Sequence, residues 1–221
     1  MWDRLAALFG GKKRDEGVDL GARFTEVYEN RLWLSEESVS GSGSERESGQ
    51  VRHAIDLLNR FTDELSIRSI ADIPCGDFNW MPMYLDAHPE VDYVGYDVVP
   101  ALIAETRAKF PDHRFEVLDI TRNAPAQADM VFSKDMFNHL SLNDVWAALE
   151  NMVASKPKYL LLTTNRGFEN AELDPRQPHA SRHLDLEAAP FSLPEPLYGD
   201  HYFLLWRCED VERRLAARKM G

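Results

Sequence analysis

The sequence predicts an α/β fold in which a mostly parallel sheet is covered by helices on both faces. Short apolar segments, rich in β-branched and aromatic residues, alternate with amphipathic segments from residue 68 onward, and such alternation is typical of βα units. The second observation is size: 221 residues, 44% of them apolar, suffice for one domain with an appended arm.

The first 50 residues are predicted to form an N-terminal arm, with residues 51–221 as the main domain. Apolar residues recur at helical spacing in residues 2–9 and again in a helix predicted over 22–33. For residues 2–9, a short helix packed on the domain or on a second subunit is favoured over a membrane-surface anchor. Residues 35–50 are dense in Ser, Gly and Glu, which is typical of a linker or of a lid over a site.

The main domain is predicted to begin with a helix and then to alternate strands with helices. The helices are predicted at 51–65, 79–87, 100–109 and 142–155. The strands are predicted at 68–73, 91–98, 113–120, 128–134, 158–165 and 201–209. A Pro-rich stretch separates the last two strands, and it contains one short predicted strand at 182–186.

Charge and cysteine content exclude several classes of protein. The formal net charge of −12 disfavours nucleic acid as a partner, because phosphate binding relies on Lys and Arg. The two cysteines form no CxxC pair and there is no HExxH motif, so no metal site is predicted. Two cysteines fit a reduced, cytoplasmic compartment. No apolar run is long enough to span a bilayer, so a membrane partner is not expected.

Polar residues follow the predicted strands at one end. Because the carboxyl ends of parallel strands meet at one edge of a sheet, where ligands bind, we expect these side chains to share a site. They are Asp72 after the first strand, Asp97 after the second, Asp119 after the third, and Lys134, Asp135, Asn138 and His139 after the fourth.

The turn after the first strand, Pro74-Cys75-Gly76-Asp77-Phe78, indicates which cofactor the site would take. Gly76 allows the backbone to approach a ligand closely, and Asp97 follows it by 97 − 76 = 21 residues, the spacing at which an acid binds a ribose. The GxGxxG fingerprint of dinucleotide sites is absent, and Asp77 would repel a pyrophosphate. A cationic cofactor without phosphates, S-adenosylmethionine, fits these acids better.

Each of these residues also has a structural interpretation. Asp72 and Asp97 could cap the helices that follow them, although the cofactor role is favoured for both. Asp119 could cap a turn with Thr121, and the two interpretations stay open. Gly76 is needed for the tight turn in either case.

Five segments, "NRLW", "ESVSGSGS", "DIPCGDFNWM", "YVGYDVVPALI" and "SKDMFNHLS", together resemble class I S-adenosylmethionine-dependent methyltransferases. More narrowly, they resemble a bacterial group of such proteins. The resemblance covers roughly residues 25–210. It implies a Rossmann-like three-layer sandwich whose seven-stranded sheet is mostly parallel with an antiparallel C-terminal strand. The family's usual three glycines are reduced here to Gly76.

The resemblance also implies roles for the residues at the strand ends. Those implied to bind the cofactor are Asp72, Cys75 and Gly76 at its methionine portion, Asp97 at the ribose, Asp119 and Ile120 at the adenine, and Lys134 beside Asp135 and His139 at the end of the fourth strand. Ser42 and Ser44 of the Ser- and Gly-rich stretch are implied to meet the cofactor's carboxylate.

Methyl transfer to oxygen usually needs a base, most often histidine. If a helix begins at Asp135, then His139 lies on the same helical face four residues later, and Asp135 could orient the imidazole. His139 could instead only bond the backbone at a helix start, and the two interpretations are weighted equally. The expected function is methyl transfer to a small-molecule or glycan acceptor, with a nicotinamide-dependent oxidoreductase or a non-catalytic cofactor-binding protein as alternatives. A homodimer stays open.

Weaker candidates lie in the Pro-rich stretch and among the aromatics. The residues that could contact an acceptor are His179, His183, Arg166, Arg176 and Arg182. For the arginines, salt bridges with Glu169, Asp174 or Asp185 are favoured. Trp80, Tyr84 and Phe137 could line an acceptor pocket, but such aromatics more often belong to a core.

Overall fold

The computed structural model describes residues 19–174, 177 and 179–220; the predicted helix at residues 2–9 and Arg176 lie outside them. Within the described residues the α-helices are α1 (Leu20–Glu29), α2 (Gly49–Leu65), α3 (Met81–Leu85), α4 (Pro100–Lys109), α5 (Leu142–Ala154) and α6 (Cys208–Met220). The strands are β1 (Ser69–Asp72), β2 (Asp92–Asp97), β3 (Arg114–Val117), β4 (Met130–Ser133), β5 (Tyr159–Thr163), β6 (Tyr198–Gly199) and β7 (Phe203–Arg207). Two short 3-10 helices lie at Ser42–Ser44 and Phe137–His139.

The strands form one sheet in the order β3-β2-β1-β4-β5-β7-β6. β1 to β5 pair in parallel, whereas β7 runs antiparallel to β5 and β6 antiparallel to β7. The chain crosses over between β3 and β4, so the strand order reverses beside β1. The carboxyl ends of β1, β2 and β4 therefore surround the position at which such sheets bind ligands.

Apolar side chains of the strands alternate between two cores, one on each face of the sheet. In β5, Leu160 and Leu162 pack with α5 and α6, whereas Leu161 packs with α2 and α3. The same alternation places Val131 in the first core and Phe132 in the second. Because both faces are covered by helices, the predicted three-layer α/β sandwich with a mostly parallel seven-stranded sheet is confirmed.

Three predicted elements differ from the structure. The predicted strand at 182–186 is not a strand: Leu184 and Leu186 donate their backbone N–H groups to side chains of Asn165 and Thr164, and these bonds replace a sheet ladder. The strand that completes the set of seven is instead β6, Tyr198–Gly199. The predicted strand at 201–209 ends at Arg207, and a helix that the sequence analysis missed begins at Cys208.

The first predicted helix, 22–33, ends at Glu29. The side chain of Asn30 bonds back to the Glu26 carbonyl at 2.8 Å, and Arg31 takes a left-handed φ of 53°, which terminates a helix. Trp33 is thereby released from the helix and is turned toward the sheet edge. No helix among the described residues has the length and apolar character to cross a membrane.

Candidate functional site

A cleft of about 560 Å³ opens beyond the carboxyl ends of β1, β2 and β4. One wall is formed by the turn after β1 and by the residues after β2 and β3; the other is formed by α1, by the Ser/Gly segment (residues 35–48) and by the residues after β4. The nine residues predicted for cofactor binding or catalysis at the strand ends all line it: Asp72, Cys75, Gly76, Asp97, Asp119, Ile120, Lys134, Asp135 and His139. The expectation that the strand-end residues share one site therefore agrees with the geometry.

The turn after β1 is tied to both neighbouring strands. Ile73 donates its N–H to the Phe132 carbonyl at 2.9 Å, and Cys75 donates to the Tyr96 carbonyl at 2.8 Å. Gly76 then takes a φ of 55°, which L-residues with a side chain rarely adopt. The turn therefore holds its backbone close to the cleft in a fixed position.

Asp97 fastens this turn to β2. Its carboxylate accepts the N–H of Val99 at 3.0 Å, and the N–H groups of Gly76 and Val98 also bond it. Asp97 is 7% exposed. Burial raises its pKa to about 6, although the backbone bonds oppose that shift. Capping of the next segment and a place in the cleft are thus both observed for this residue.

Asp72 is the second buried acid of the cleft. It is 3% exposed and accepts the hydroxyl of Tyr93 at 2.7 Å. Burial raises the pKa of Asp72 to about 7; the Tyr93 bond lowers it, the Asp97 charge raises it and Lys134 lowers it. Two buried carboxylates facing one cleft are costly to ionise without a cation, so the cleft is suited to a positively charged ligand.

Cys75 lies between these two acids. Its side chain is buried, and burial together with the charges of Asp97 and Asp72 raises the pKa of the thiol well above its usual value. The thiol therefore stays protonated and contributes shape to the cleft, because a nucleophilic cysteine needs a lowered pKa.

Asp119 and Ile120 lie at the far end of the same wall. Asp119 accepts both the N–H and the hydroxyl of Thr121, at 2.9 and 2.6 Å, and pairs with Arg122 at 3.2 Å. The turn-capping interpretation of Asp119 is therefore observed. The carbonyl of Ile120 accepts the Asn151 amide at 2.6 Å, which fixes the buried Ile120 side chain at the edge of the cleft.

The Ser/Gly segment is docked over the turn after β1. Asp77 accepts the Ser38 hydroxyl at 3.1 Å and the Val39 N–H at 3.0 Å. Ser40 lies so close to Gly76 that a Cβ atom there would collide with the Ser40 hydroxyl. Asp77, the acid that would repel a pyrophosphate, thus also anchors the Ser/Gly segment beside the cleft.

Lys134 and Asp135 fasten the other side of the same segment. The buried ammonium of Lys134 donates to the Gly43 carbonyl at 2.9 Å and to Asp135 at 2.6 Å. Asp135 also accepts the hydroxyl of Tyr202, at 2.6 and 2.7 Å to its two oxygens. These contacts tie together the end of β4, the start of β7 and the cover of the cleft.

The expected pairing of Asp135 with His139 rests on a premise that the structure contradicts. Asp135 has a φ of 55°, and the short helix begins only at Phe137, so the two residues do not share a helical face. The hydrogen bonds of the Asp135 carboxylate go to Lys134 and Tyr202. Asp135 therefore influences His139 through its charge, which raises the histidine's pKa.

His139 is oriented by a backbone carbonyl instead. Its Nδ1 lies 3.1 Å from the Ala180 carbonyl oxygen, and because that oxygen only accepts, Nδ1 carries the proton and Nε2 keeps its lone pair. Burial lowers the pKa of His139. The imidazole packs against Trp33 with 4.5 Å between ring centroids and the ring planes tilted by 41°. Nε2 lies 3.4 Å from the side-chain amide nitrogen of Asn138, which can donate to it. A neutral imidazole whose Nε2 accepts a proton has the state that a general base requires, and an acceptor hydroxyl at Nε2 would replace the Asn138 amide.

Several lining residues were not found from the sequence as site residues. Phe24, Tyr28 and Trp33 reach the cleft from α1 and the loop after it, and Gln50 reaches it from α2. The helical spacing of Phe24 and Tyr28 indicated only an apolar face. Contacts between segments more than 100 residues apart decide which part of that face meets the site, and such contacts leave no local signal.

The weaker candidates separate into three groups. Trp80 lines the cleft, whereas Tyr84 and Phe137 are core residues. Arg166 pairs with Glu187, not with the acids expected for it. His183 is stacked on Phe168 with 4.1 Å between centroids.

Comparison with known proteins finds similarity to methyltransferases. Residues 70–155 match a family model described as a methyltransferase domain. Trans-aconitate 2-methyltransferase of Escherichia coli O1:K1 / APEC is 39% identical over 83 residues, which are 37% of this chain and 32% of that protein. The same enzyme of Escherichia coli strain SE11 is 37% identical over 83 residues. The chain spans about a third of the length of these curated relatives.

Solved structures give weaker similarity. A SAM-bound amino pentose methyltransferase from Micromonospora echinaspora has a TM-score of 0.47 at 20% identity, with 58% of each chain covered. A sugar N-methyltransferase from Streptoalloteichus sp ATCC 53650 has a TM-score of 0.46 at 15% identity, covering 61% of this chain and 56% of that one.

Over residues 70–155 the match to a methyltransferase domain agrees with the expected resemblance, while its extent over residues 25–210 and the narrower bacterial group stay predictions. The matched segment runs from β1 to the end of α5 and holds most of the residues that line the cleft. Residues 70–155 of this chain thus match a methyltransferase domain, and the cleft at its strand ends is the candidate active site.

Proposed function

We propose that the chain binds S-adenosylmethionine in this cleft and transfers its methyl group to an oxygen atom of a small-molecule or glycan acceptor. The observation that carries the proposal is the pair of buried carboxylates, Asp72 and Asp97, on either side of the Gly76 turn. These acids suit a cofactor with an ammonium group and ribose hydroxyls and oppose one with phosphates.

The residues of the cleft divide the work between binding and reaction. Asp72 would hold the ammonium of the methionine portion, Asp97 the ribose hydroxyls and Ile120 the adenine. When bound, S-adenosylmethionine supplies a methyl group activated by its sulfonium. His139 would take the proton of the acceptor hydroxyl at Nε2. The docked Ser/Gly segment excludes water, and the fixed walls bring the two reactants together.

Oxygen and a small acceptor are supported by the other wall of the cleft. Phe24, Tyr28 and Trp33 form an aromatic surface of the kind that binds small organic molecules. His139 supplies the base that a hydroxyl requires and an amine does not. The curated relatives are named for a small-molecule acceptor, trans-aconitate.

The test measures thermal unfolding of the full chain with S-adenosylhomocysteine or with NAD. We expect S-adenosylhomocysteine at about 100 times its dissociation constant to add about 2.7 kcal/mol of stability, and NAD to add none. Asp97→Asn should lose this stabilisation. Asp92→Asn is the matched control, since Asp92 lies at the other end of β2, is exposed and pairs with Arg114.

Two results would contradict the proposal. Stabilisation by NAD alone would favour the oxidoreductase alternative. Tight binding of S-adenosylhomocysteine without transfer of a labelled methyl group to a panel of hydroxylated and carboxylated acceptors, sugars included, would favour a protein that only binds the cofactor.

A further inference from the structure

Residues 137–139, called here the His139 turn, are held by two arginines from distant parts of the chain. Arg23 of α1 donates Nη1–H to the His139 carbonyl at 3.0 Å. Arg182, from the segment between β5 and β6, donates Nη1–H to the carbonyls of Phe137 and Asn138, at 3.4 and 3.3 Å. Its backbone N–H also bonds the Asn138 carbonyl at 3.0 Å. All three carbonyl groups of the turn therefore accept hydrogen bonds from these two residues.

The same segment fixes the imidazole itself. Ala180, two residues before Arg182, accepts the Nδ1 proton of His139, and Ser181 between them lines the cleft. Arg182 is in turn held by its Nε bond to the Ala171 carbonyl at 2.5 Å. The segment thus contacts the histidine at its backbone and at its ring, which sets the direction of Nε2.

We propose that Arg23 and Arg182 are positioning residues, which hold the His139 turn by its three carbonyl groups so that Nε2 of His139 faces the acceptor. This inference rests on the proposed function, because it assigns a task to residues that act through the proposed base. Both arginines are partly buried, and an arginine fork that bonds several carbonyls fixes a backbone more firmly than lysine can.

Charge gives these arginines a second effect on the histidine. After burial itself, the charges of Arg23 and Arg182 lower the pKa of His139, whereas the Ala180 carbonyl and Asp135 raise it. Burial lowers the pKa of both arginines, whereas the charge of Asp144 raises the pKa of Arg23 and the charge of Glu172 raises that of Arg182. The two cations therefore favour the neutral imidazole that can accept a proton.

The experiment separates fixation from charge with two variants at one position. For Arg182→Gln we expect kcat to fall by about tenfold or more, because a base displaced from its acceptor loses orientation, and the acidic limb of the pH–rate profile to move to higher pH. For Arg182→Lys we expect kcat to fall while the acidic limb stays in place, since the charge is kept. Arg214→Gln is the matched control, because Arg214 also bonds two backbone carbonyls, those of Ser192 and Pro190, outside the cleft lining.

A second readout does not need turnover. The imidazole signals of the seven histidines can be titrated by NMR, with His139→Gln identifying the signal of His139. We expect its midpoint to rise in Arg182→Gln and in Arg23→Gln, and to stay unchanged in Arg214→Gln. An unchanged midpoint and an unchanged kcat in folded Arg182→Gln would overturn the inference. In a protein that transfers no methyl group, a raised midpoint would reject the proposed function while showing that the charges of the arginines still act on His139.

Discussion

At the scale of single residues, Asp72 has opposite effects on stability and on binding. A buried acid with a pKa raised to about 7 binds its proton more tightly in the folded chain than in the unfolded one. Between the unfolded and folded pKa values the folded state therefore holds more protons, and the free energy of unfolding falls as pH rises through this range. The ionised form is what a cationic cofactor needs, so the fold carries this cost until the cofactor binds.

Asp72→Asn should therefore stabilise the protein and weaken binding. At about pH 8 we expect a higher melting temperature than for the unsubstituted protein in the absence of ligand, because the buried charge is removed while Tyr93 can still donate to the amide oxygen. Affinity for S-adenosylhomocysteine should fall, and the affinity of the unsubstituted protein should rise with pH through about 7. Thermal unfolding and calorimetry across this pH range measure both quantities.

The control for this variant is Asp56→Asn, at an exposed position on α2. It should leave both quantities as they are. If Asp72→Asn melts lower than the unsubstituted protein at the alkaline end, or binds S-adenosylhomocysteine equally well, the buried-charge account is wrong.

Some features of the site could be predicted from single residues and their neighbours in sequence, and others could not. Asp72 and Asp97 were predicted because each follows an apolar strand, and the spacing from Gly76 to Asp97 is a local property of the chain. The partners of His139 were missed because Ala180, Arg182 and Arg23 lie far from it in sequence. The prediction that a helix begins at Asp135 was wrong, because the left-handed φ of this residue ends the strand without starting a helix.

At the scale of elements, the Ser/Gly segment is held by more hydrogen bonds than its composition predicts. Ser- and Gly-rich sequence is typical of flexible linkers, yet here Asp77, Lys134 and Asn79 all bond this segment. Asp77 lies in the turn after β1, so the cover of the cleft is attached to the same turn that would hold the cofactor. The lid interpretation of residues 35–50 is favoured by these contacts and stays a prediction.

Asp77→Ala should loosen the segment and leave the sheet intact. It removes the acceptor of both the Ser38 hydroxyl and the Val39 N–H, so local opening becomes less costly. We expect faster tryptic cleavage after Arg46 and faster amide exchange in residues 38–44, with weaker binding of S-adenosylhomocysteine. Limited proteolysis and hydrogen exchange measure the opening.

Glu64→Ala serves as the control, because the exposed pair of Glu64 with Arg60 contributes little and lies away from the bond that trypsin cleaves. Cleavage after Arg46 that is equally slow in Asp77→Ala and in the unsubstituted protein would exclude Asp77 as the anchor.

Elements set by local residues were predicted correctly, whereas elements set by contacts with distant residues were not. The α4 prediction, 100–109, agrees with the structure because Pro100 starts the helix at its first position. By contrast, α6 was missed because its residues have little apolar periodicity, and only contacts of Val211 and Leu215 with the core beside α5 make the segment helical. The prediction of a strand at 182–186 was wrong. The backbone N–H groups of buried Leu184 and Leu186 bond to side chains and not to a neighbouring strand.

At the scale of the whole molecule, the alternation of strand side chains gives two cores that do not share members. The sequence predicted this arrangement well, because period-2 apolar segments alternating with helical ones allow few other architectures. Each strand residue therefore belongs to one face only, and the central strands β1, β4 and β5 are buried on both faces. The stability of the molecule should accordingly divide between the two faces.

Substitutions on opposite faces should be additive. Ile70→Val affects the core beside α2, and Val131→Ala affects the core beside α5. Ile→Val substitutions cost about 0.5–1.5 kcal/mol. Although Ile70 and Val131 lie on neighbouring strands, their side chains share no core, so we expect the double variant to equal the sum within about 0.5 kcal/mol. Urea denaturation of the single and double variants measures the coupling.

The matched control is a pair on one face. Val131 and Leu160 lie opposite each other on β4 and β5 and share the α5 core, so Val131→Ala with Leu160→Val should show a coupling above about 0.5 kcal/mol. Equal coupling in the two pairs would mean that the faces are not separate.

The position of Ser40 against Gly76 has a consequence for turnover if the Ser/Gly segment acts as a lid. A spent cofactor would then leave, and a fresh one enter, only after the Ser40 contact and the bond from Lys134 to the Gly43 carbonyl open. Under the proposed function, we expect the rate of this opening to set an upper limit on how often the cofactor is exchanged.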